Sequence, residues 1–138
     1  MTLVEQLAAF VAGSSYDKLS LAARGQLKIS ILDPLGCAIA AFNGEPIQLI
    51  RAHTEDFGGA KYCTLIGGDR TVPDRAAFYN SALVRYLDFN DSFLAPGETC
   101  HPGDNFGSAL AAAEYAGRSG RDLLTALAVA YQVQCHLE

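Results

Sequence analysis

Apolar residues recur at helical spacing over most of the chain. Leu3, Leu7, Phe10 and Val11 mark a first helix that Gly13 and the two serines after it end. "YDKLS" is a connection, with Ser20 a suitable N-cap for a second helix from Leu21 to about Phe42. Leu27, Ile31, Leu35 and Ile39 form its stripe, and Pro34 is expected to kink it or split it near Asp33. "FNGEP" is turn chemistry, and the moderately polar stretch through "RAHTEDFGGAKY" shows no helical stripe. "CTLIGG" reads as a short extended piece. Thr71 and Pro73 open a third helix that carries Phe78, Leu83, Val84 and Leu87 to about Phe89. An alanine-rich helix runs from near Pro102 or Asp104 to Ala116, where neighbours can approach closely. "GRSGRD" breaks it, and a last helix starts near Arg121 and continues through Leu124, Leu127, Val129 and Val133 with no glycine or proline stop. The pattern therefore predicts a mainly α domain over residues 1–138, with at most one short extended segment.

Composition narrows the classes. Half of the 138 residues are apolar, enough for a core in one domain. The net charge of −5 argues against nucleic acid, which calls for a basic patch. No apolar run approaches the roughly 18 residues of a membrane span. Cys37, Cys63, Cys100 and Cys135 form no CxxC pair, so neither a metal site nor a disulfide framework is expected, and the thiols suit a reducing cytoplasm.

The polar chemistry gathers in one connection, "DFNDSFLAPGETCHPGD", which holds Asp88, Asp91, Ser92, Glu98, Cys100, His101 and Asp104. If the preceding helix continued, Asp88, Asp91 and Ser92 would share a face. A carboxylate at a helix C-terminus meets the negative end of the dipole and needs a partner cation, a cap or a site to account for it. Pro102 pushes His101 towards extended geometry, which makes His101 a candidate N-cap, with Asp104 its rival. The amides of Gly103 to Phe106 would then face the approach to that helix as a cradle for a carboxylate. The residues alone leave two readings open: a solvated helix end with a surface histidine, or a proton-transfer site beside an anion cradle. Neighbouring extended residues point opposite ways, which disfavours a Cys100–His101 nucleophilic pair. His53 reads as a loop residue and His136 as a favourable charge at a helix end.

Four stretches together, "LDPLGCAIAAF" (Leu32–Phe42), "NSALVRYLDFNDSF" (Asn80–Phe93), "GETCHPGDN" (Gly97–Asn105) and "SGRDLLTALAVAYQVQCHLE" (Ser119–Glu138), resemble the N-terminal helical domain of the MmgE/PrpD family. That family includes 2-methylcitrate dehydratases, cis-aconitate decarboxylases and an iminodisuccinate epimerase. The resemblance implies a lyase that uses no cofactor and no metal, acts on a small polycarboxylate and forms a homodimer. It implies His101 as the proton-transfer residue, with Asp88 supporting it or binding substrate. Ser92, Asp91, Gly103 and Asp104 are the expected substrate-binding residues. Gly103 stands where serine is usual, and Gln132 where many relatives have glutamate. Family members are several times longer and carry further catalytic residues and a smaller α/β domain. The resemblance therefore implies an N-terminal portion of such an enzyme. A non-catalytic helical dimerisation module or an inactive remnant is the alternative. Within the family, decarboxylation and epimerisation stand beside dehydration.

Overall fold

A computed structural model describes residues 1–137; Glu138 lies outside the described residues. Among the described residues the chain forms α1 (Leu3–Gly13), α2 (Leu21–Ala40), α3 (Glu45–Phe57), β1 (Cys63–Thr64), β2 (Arg70–Thr71) and α4 (Pro73–Tyr86). β3 (Phe93–Leu94), β4 (Thr99–Cys100), α5 (Phe106–Tyr115) and α6 (Gly120–Leu137) follow. Short 3-10 turns at Tyr16–Lys18 and Pro102–Asn105 precede α2 and α5. The molecule is mainly α, and β1–β2 and β3–β4 are separate antiparallel pairs.

Local chemistry starts the helices. Thr2 and Glu5 close a reciprocal capping box on α1, with Thr2 N–H donating to Glu5 Oε2 at 2.7 Å. None of the residues of α1 is buried, and Val4, Phe10 and Val11 stay exposed. Ser20 Oγ accepts from Ala23 N–H at 3.1 Å and caps α2.

α2 runs through Pro34 unbroken, against the expected split. A helix-interior proline costs about 3 kcal/mol for its missing donor and its clash with the preceding turn. Here the proline ring is fully buried, and α2 is held by α4 and α6. The buried line is Leu27, Pro34, Cys37, Ala38 and Ala41, rotated from the expected stripe. Ile31 and Leu35 are half-buried and Ile39 is 60% exposed, because the small side chains take the face that meets α4. α3 replaces the expected polar connection. Pro46 sits in its first turn, and Ile47, Ile50 and Thr54 turn inward at i, i+3 and i+7 while its charges face outward.

β1 pairs with β2 through Cys63↔Thr71 and Thr64↔Arg70. The reversal between them uses positive φ at Gly67, Gly68 and Asp69. α4 puts Ala76, Tyr79, Asn80, Leu83 and Val84 into the core. α5 crosses it at Gly107, where a Cβ would stand 2.6 Å from the Ser81 backbone nitrogen. Only glycine permits that approach, which places the segment before α5 against the end of α4. Ser119 and Asp122 cap α6, whose Leu124 and Leu127 complete the core.

Candidate active site

The site is built where α4 ends. Its last regular residue is Tyr86; Leu87 caps it, and Asp88 takes φ +57°. Aspartate tolerates this left-handed geometry, and the Asp88 N–H bonds Arg85 O at 3.1 Å. The chain therefore turns at Asp88, and the expected shared helical face of Asp88, Asp91 and Ser92 does not form. Asp88 is exposed, and its carboxylate accepts from the Arg85 guanidinium. A capping turn and a partner cation account for an acidic residue at this helix end.

Arg85 also stands 3.7 Å from Asp104. Between them Asn90, 3% exposed, donates from Nδ2 to Asp104 Oδ1 at 3.0 Å. This lattice secures the start of the connection.

The next segment is a hairpin rather than an open loop. β3 and β4 pair through Phe93↔Cys100 and Leu94↔Thr99, and the reversal is closed by Ala95 N–H to Glu98 O at 3.0 Å. The pairing sets His101 beside Asp91 and Ser92. His101 Nδ1 lies 2.9 Å from the Asp91 carbonyl oxygen and 3.4 Å from Ser92 Oγ. A carbonyl oxygen can only accept, so Nδ1 carries the proton of the neutral ring. Nε2 then holds the lone pair, the arrangement a general base requires.

The cradle expected after His101 is already filled. Gly103 N–H donates to Asp91 Oδ1 at 2.8 Å, and Asp104 N–H donates to His101 O at 3.0 Å. The α-helix begins at Phe106 instead, and neither His101 nor Asp104 caps it by side chain. A Cβ on Gly103 would stand 2.4 Å from Asp91 Oδ1, so the glycine makes room for the chain's own carboxylate. Of the expected site residues, the structure joins Asp91, Ser92, His101 and Gly103. Asp88 turns to Arg85, and Asp104 to Asn90 and Arg85.

Two partners of Asp91 carry no motif in the sequence. Asp91 N–H donates to Asp33 Oδ2 at 2.9 Å, and Tyr131 stands near enough for its hydroxyl to act on the pKa of the Asp91 carboxylate. Burial raises the Asp91 pKa above the ordinary carboxylate value, and the charges of Asp33 and Asp104 push the same way. The Gly103 N–H bond and the Tyr131 hydroxyl oppose the rise without cancelling it. Burial and the facing Asp91 likewise raise the Tyr131 pKa, so its hydroxyl stays a donor. The signal for Asp33 was a charged residue inside an apolar helix. Tyr131 carried no signal apart from the apolar run around it.

The raised Asp91 pKa makes a pH-dependent prediction. The fold favours protonated Asp91, so its contribution is complete below the unfolded value of about 3.9 and is lost as pH rises through the folded value. Ionised Asp91 therefore burdens the fold at neutral pH. Asp91→Asn, which keeps an acceptor for Gly103, is expected to melt at a higher temperature than the wild type at pH 7. The gap should close on acidification towards pH 4. Thermal melts at both pH values decide this; an asparagine variant no more stable at pH 7 would show the assignment to be wrong.

Two of the thiols, Cys37 and Cys63, are buried and held in the protonated form. Burial first, then Asp33 and Asp91, raise the Cys37 pKa; burial and Glu114 raise that of Cys63. His53 stays exposed and packs on Phe57, with ring centroids 4.6 Å apart. Among the described residues no cluster of three His, Cys, Asp or Glu side chains could hold a metal, and no helix is long and apolar enough to cross a membrane. Beside the site, α1, α2 and α6 border an open groove of about 830 Å³, with Phe93 and Tyr131 in its wall.

Comparison with known proteins identifies the family. The family model described as the MmgE/PrpD N-terminal domain matches residues 5–138. The 2-methylcitrate dehydratase of Cupriavidus necator is 34% identical over 77% of this chain and 23% of its own length. The probable 2-methylcitrate dehydratase of Saccharomyces cerevisiae is 33% identical over 78% of this chain and 23% of its own. The Escherichia coli K12 2-methylcitrate dehydratase is 29% identical over 87% of this chain and 27% of its own. The chain thus spans about a quarter of the length of these relatives. It belongs to the MmgE/PrpD family, by the N-terminal domain that defines it.

Proposed function

We propose that this chain carries the proton-transfer part of a dehydratase-type lyase site for a small tricarboxylate of the 2-methylcitrate kind. The observation that supports this most is the His101 ring held through Nδ1 by the Asp91 carbonyl, which leaves Nε2 to act as base. In this reading Nε2 takes the proton next to a substrate carboxylate, and the imidazolium returns it to the neighbouring hydroxyl, which leaves as water while the carbon–carbon double bond forms. Asp91 and Gly103 hold the base. Ser92 faces the substrate's hydroxyl group, Asp88 stays paired with Arg85, and Asp104 braces Asn90. Decarboxylation and epimerisation begin from the same chemistry next to a carboxylate. The names of the relatives favour dehydration. No cofactor enters these steps, and in this reading the setting is cytoplasmic.

The test is to give the purified chain 2-methylcitrate and citrate and to follow the unsaturated acid in the ultraviolet. The His101 ring signals are recorded by NMR in parallel. Turnover of 2-methylcitrate, or ring shifts with it and not with acetate, supports the reading. A folded chain that shows neither overturns it.

A second reading, a self-associating helical module, is favoured by one observation. Leu3, Val4, Phe10 and Val11 of α1 are all exposed. It requires a dimer by light scattering that Phe10→Asp converts to a monomer.

A further inference from the structure

The peptide units that flank the Asp91 Cα are gripped at both ends. The Asp91 carbonyl accepts from His101 Nδ1 at 2.9 Å, and its amide donates to Asp33 Oδ2 at 2.9 Å. Asp33 comes from the middle of α2, 58 residues earlier in the chain. That helix is anchored on both sides of Asp33, because Leu27, Pro34, Cys37 and Ala38 are buried. Asp33 itself is exposed and adds nothing to the core. Its carboxylate is a fixed post standing on a rigid element, beside a connection that has just reversed direction at Asp88. The other tie on Asp91, to Gly103 N–H, acts on the side chain and leaves the rotation of the backbone free.

The direction of the Asp91 carbonyl decides which ring nitrogen of His101 is protonated. Facing Nδ1, it demands a proton there and leaves Nε2 basic. Turned away, it releases the ring to the opposite tautomer, whose Nε2–H cannot accept a proton.

We propose that Asp33 is a positioning residue for His101, which acts by holding the Asp91 backbone so that its carbonyl keeps the proton on Nδ1. Its consequence for turnover rests on the reading of His101 as the base; the geometry itself does not. Asp33 accepts one N–H, so an amide oxygen can replace its carboxylate, and a methyl group cannot.

The experiment reads the His101 tautomer in the 138-residue chain by long-range proton–nitrogen NMR. The pH is set about two units above the ordinary histidine pKa of about 6.5, so that the rings are neutral. In the wild type the Nδ1–H form is expected to dominate. Asp33→Ala is expected to shift the ratio towards Nε2–H by about fivefold or more, the factor carried by one net hydrogen bond. Asp33→Asn is expected to keep the wild-type ratio. His53 and His136 are internal controls whose signals stay unchanged. Alanine favours an exposed helical position; should Asp33→Ala fail to fold, Asp33→Ser, whose hydroxyl is too short to reach the Asp91 amide, gives the same readout.

A wild-type ratio in the folded alanine or serine variant overturns the proposal. So does an asparagine variant that shifts as alanine does. If the ratio follows Asp33 while the chain neither turns over nor binds 2-methylcitrate, the positioning role stands and the functional reading fails. If turnover is seen and the ratio ignores Asp33, this inference alone fails.

Discussion

Asn80→Leu is expected to lower the unfolding free energy by about 2–5 kcal/mol, the largest stability effect of any polar position in the chain. Asn80 is fully buried on α4. Its Oδ1 accepts from Ile66 N–H at 2.9 Å, and its Nδ2 donates to Thr64 O at 2.8 Å. One side chain thus serves the backbone as a neighbouring strand would, and ties the β1 segment to α4. Leucine fills much of the same volume but leaves a donor and an acceptor without these partners, at about 1–3 kcal/mol each. Asn80→Asp keeps the acceptor for Ile66. It also sets a carboxylate against the Thr64 carbonyl in a site closed to water, so its loss should be at least as large. Urea unfolding of the three proteins tests the order. Losses below about 1 kcal/mol in both variants would mean that water serves these groups when the amide is gone.

Legibility followed the range of the interactions. Ser20 and Pro73 act on their own neighbours, and α2 and α4 begin where these residues place them. α3 was legible in principle from Pro46, Ile47 and Ile50, but its exposed charges outnumber its two apolar anchors and disguise the stripe. The Pro34 signal was real, yet the packing of α2 on α4 and α6 outweighs it. The β3–β4 pair carries turn chemistry at Pro96 and Gly97, with strands too short to show alternation.

The site divides the same way. His101 stood out beside Pro102, and its Nδ1 lies 2.9 Å from the Asp91 carbonyl oxygen. Helical spacing gave Asp88, Asp91 and Ser92 a shared face, which the left-handed turn at Asp88 cancels, while the choice of Asp88 as supporting carboxylate came from the family resemblance. Beyond that turn Asp88 pairs with Arg85, and Asp91 bonds His101 through its carbonyl and Gly103 through its carboxylate. Asp33 and Tyr131 reach Asp91 only through the packing of α2 and α6 around the connection. No local pattern announces contacts at that separation.

His101→Ala is expected to lower kcat for 2-methylcitrate by about 10²–10⁴-fold, the contribution of one positioned base. KM should move far less, because the imidazole acts on a proton and not on the substrate's carboxylates. Alanine alone does not separate a base from a brace, since it also removes the bond from Nδ1 to the Asp91 carbonyl. His101→Asn makes the separation. Its amide N–H₂ can still donate to that carbonyl and keep the hairpin closed, but it has no basic lone pair. If His101 is the base, both variants lose activity alike, while the asparagine variant melts close to the wild type. If His101 only braces the hairpin, asparagine restores turnover. Exchange of the proton next to the substrate carboxylate in heavy water separates base from brace independently of product release. It should persist in the wild type and vanish in both variants, because in the proposed reading His101 Nε2 is the group that takes this proton.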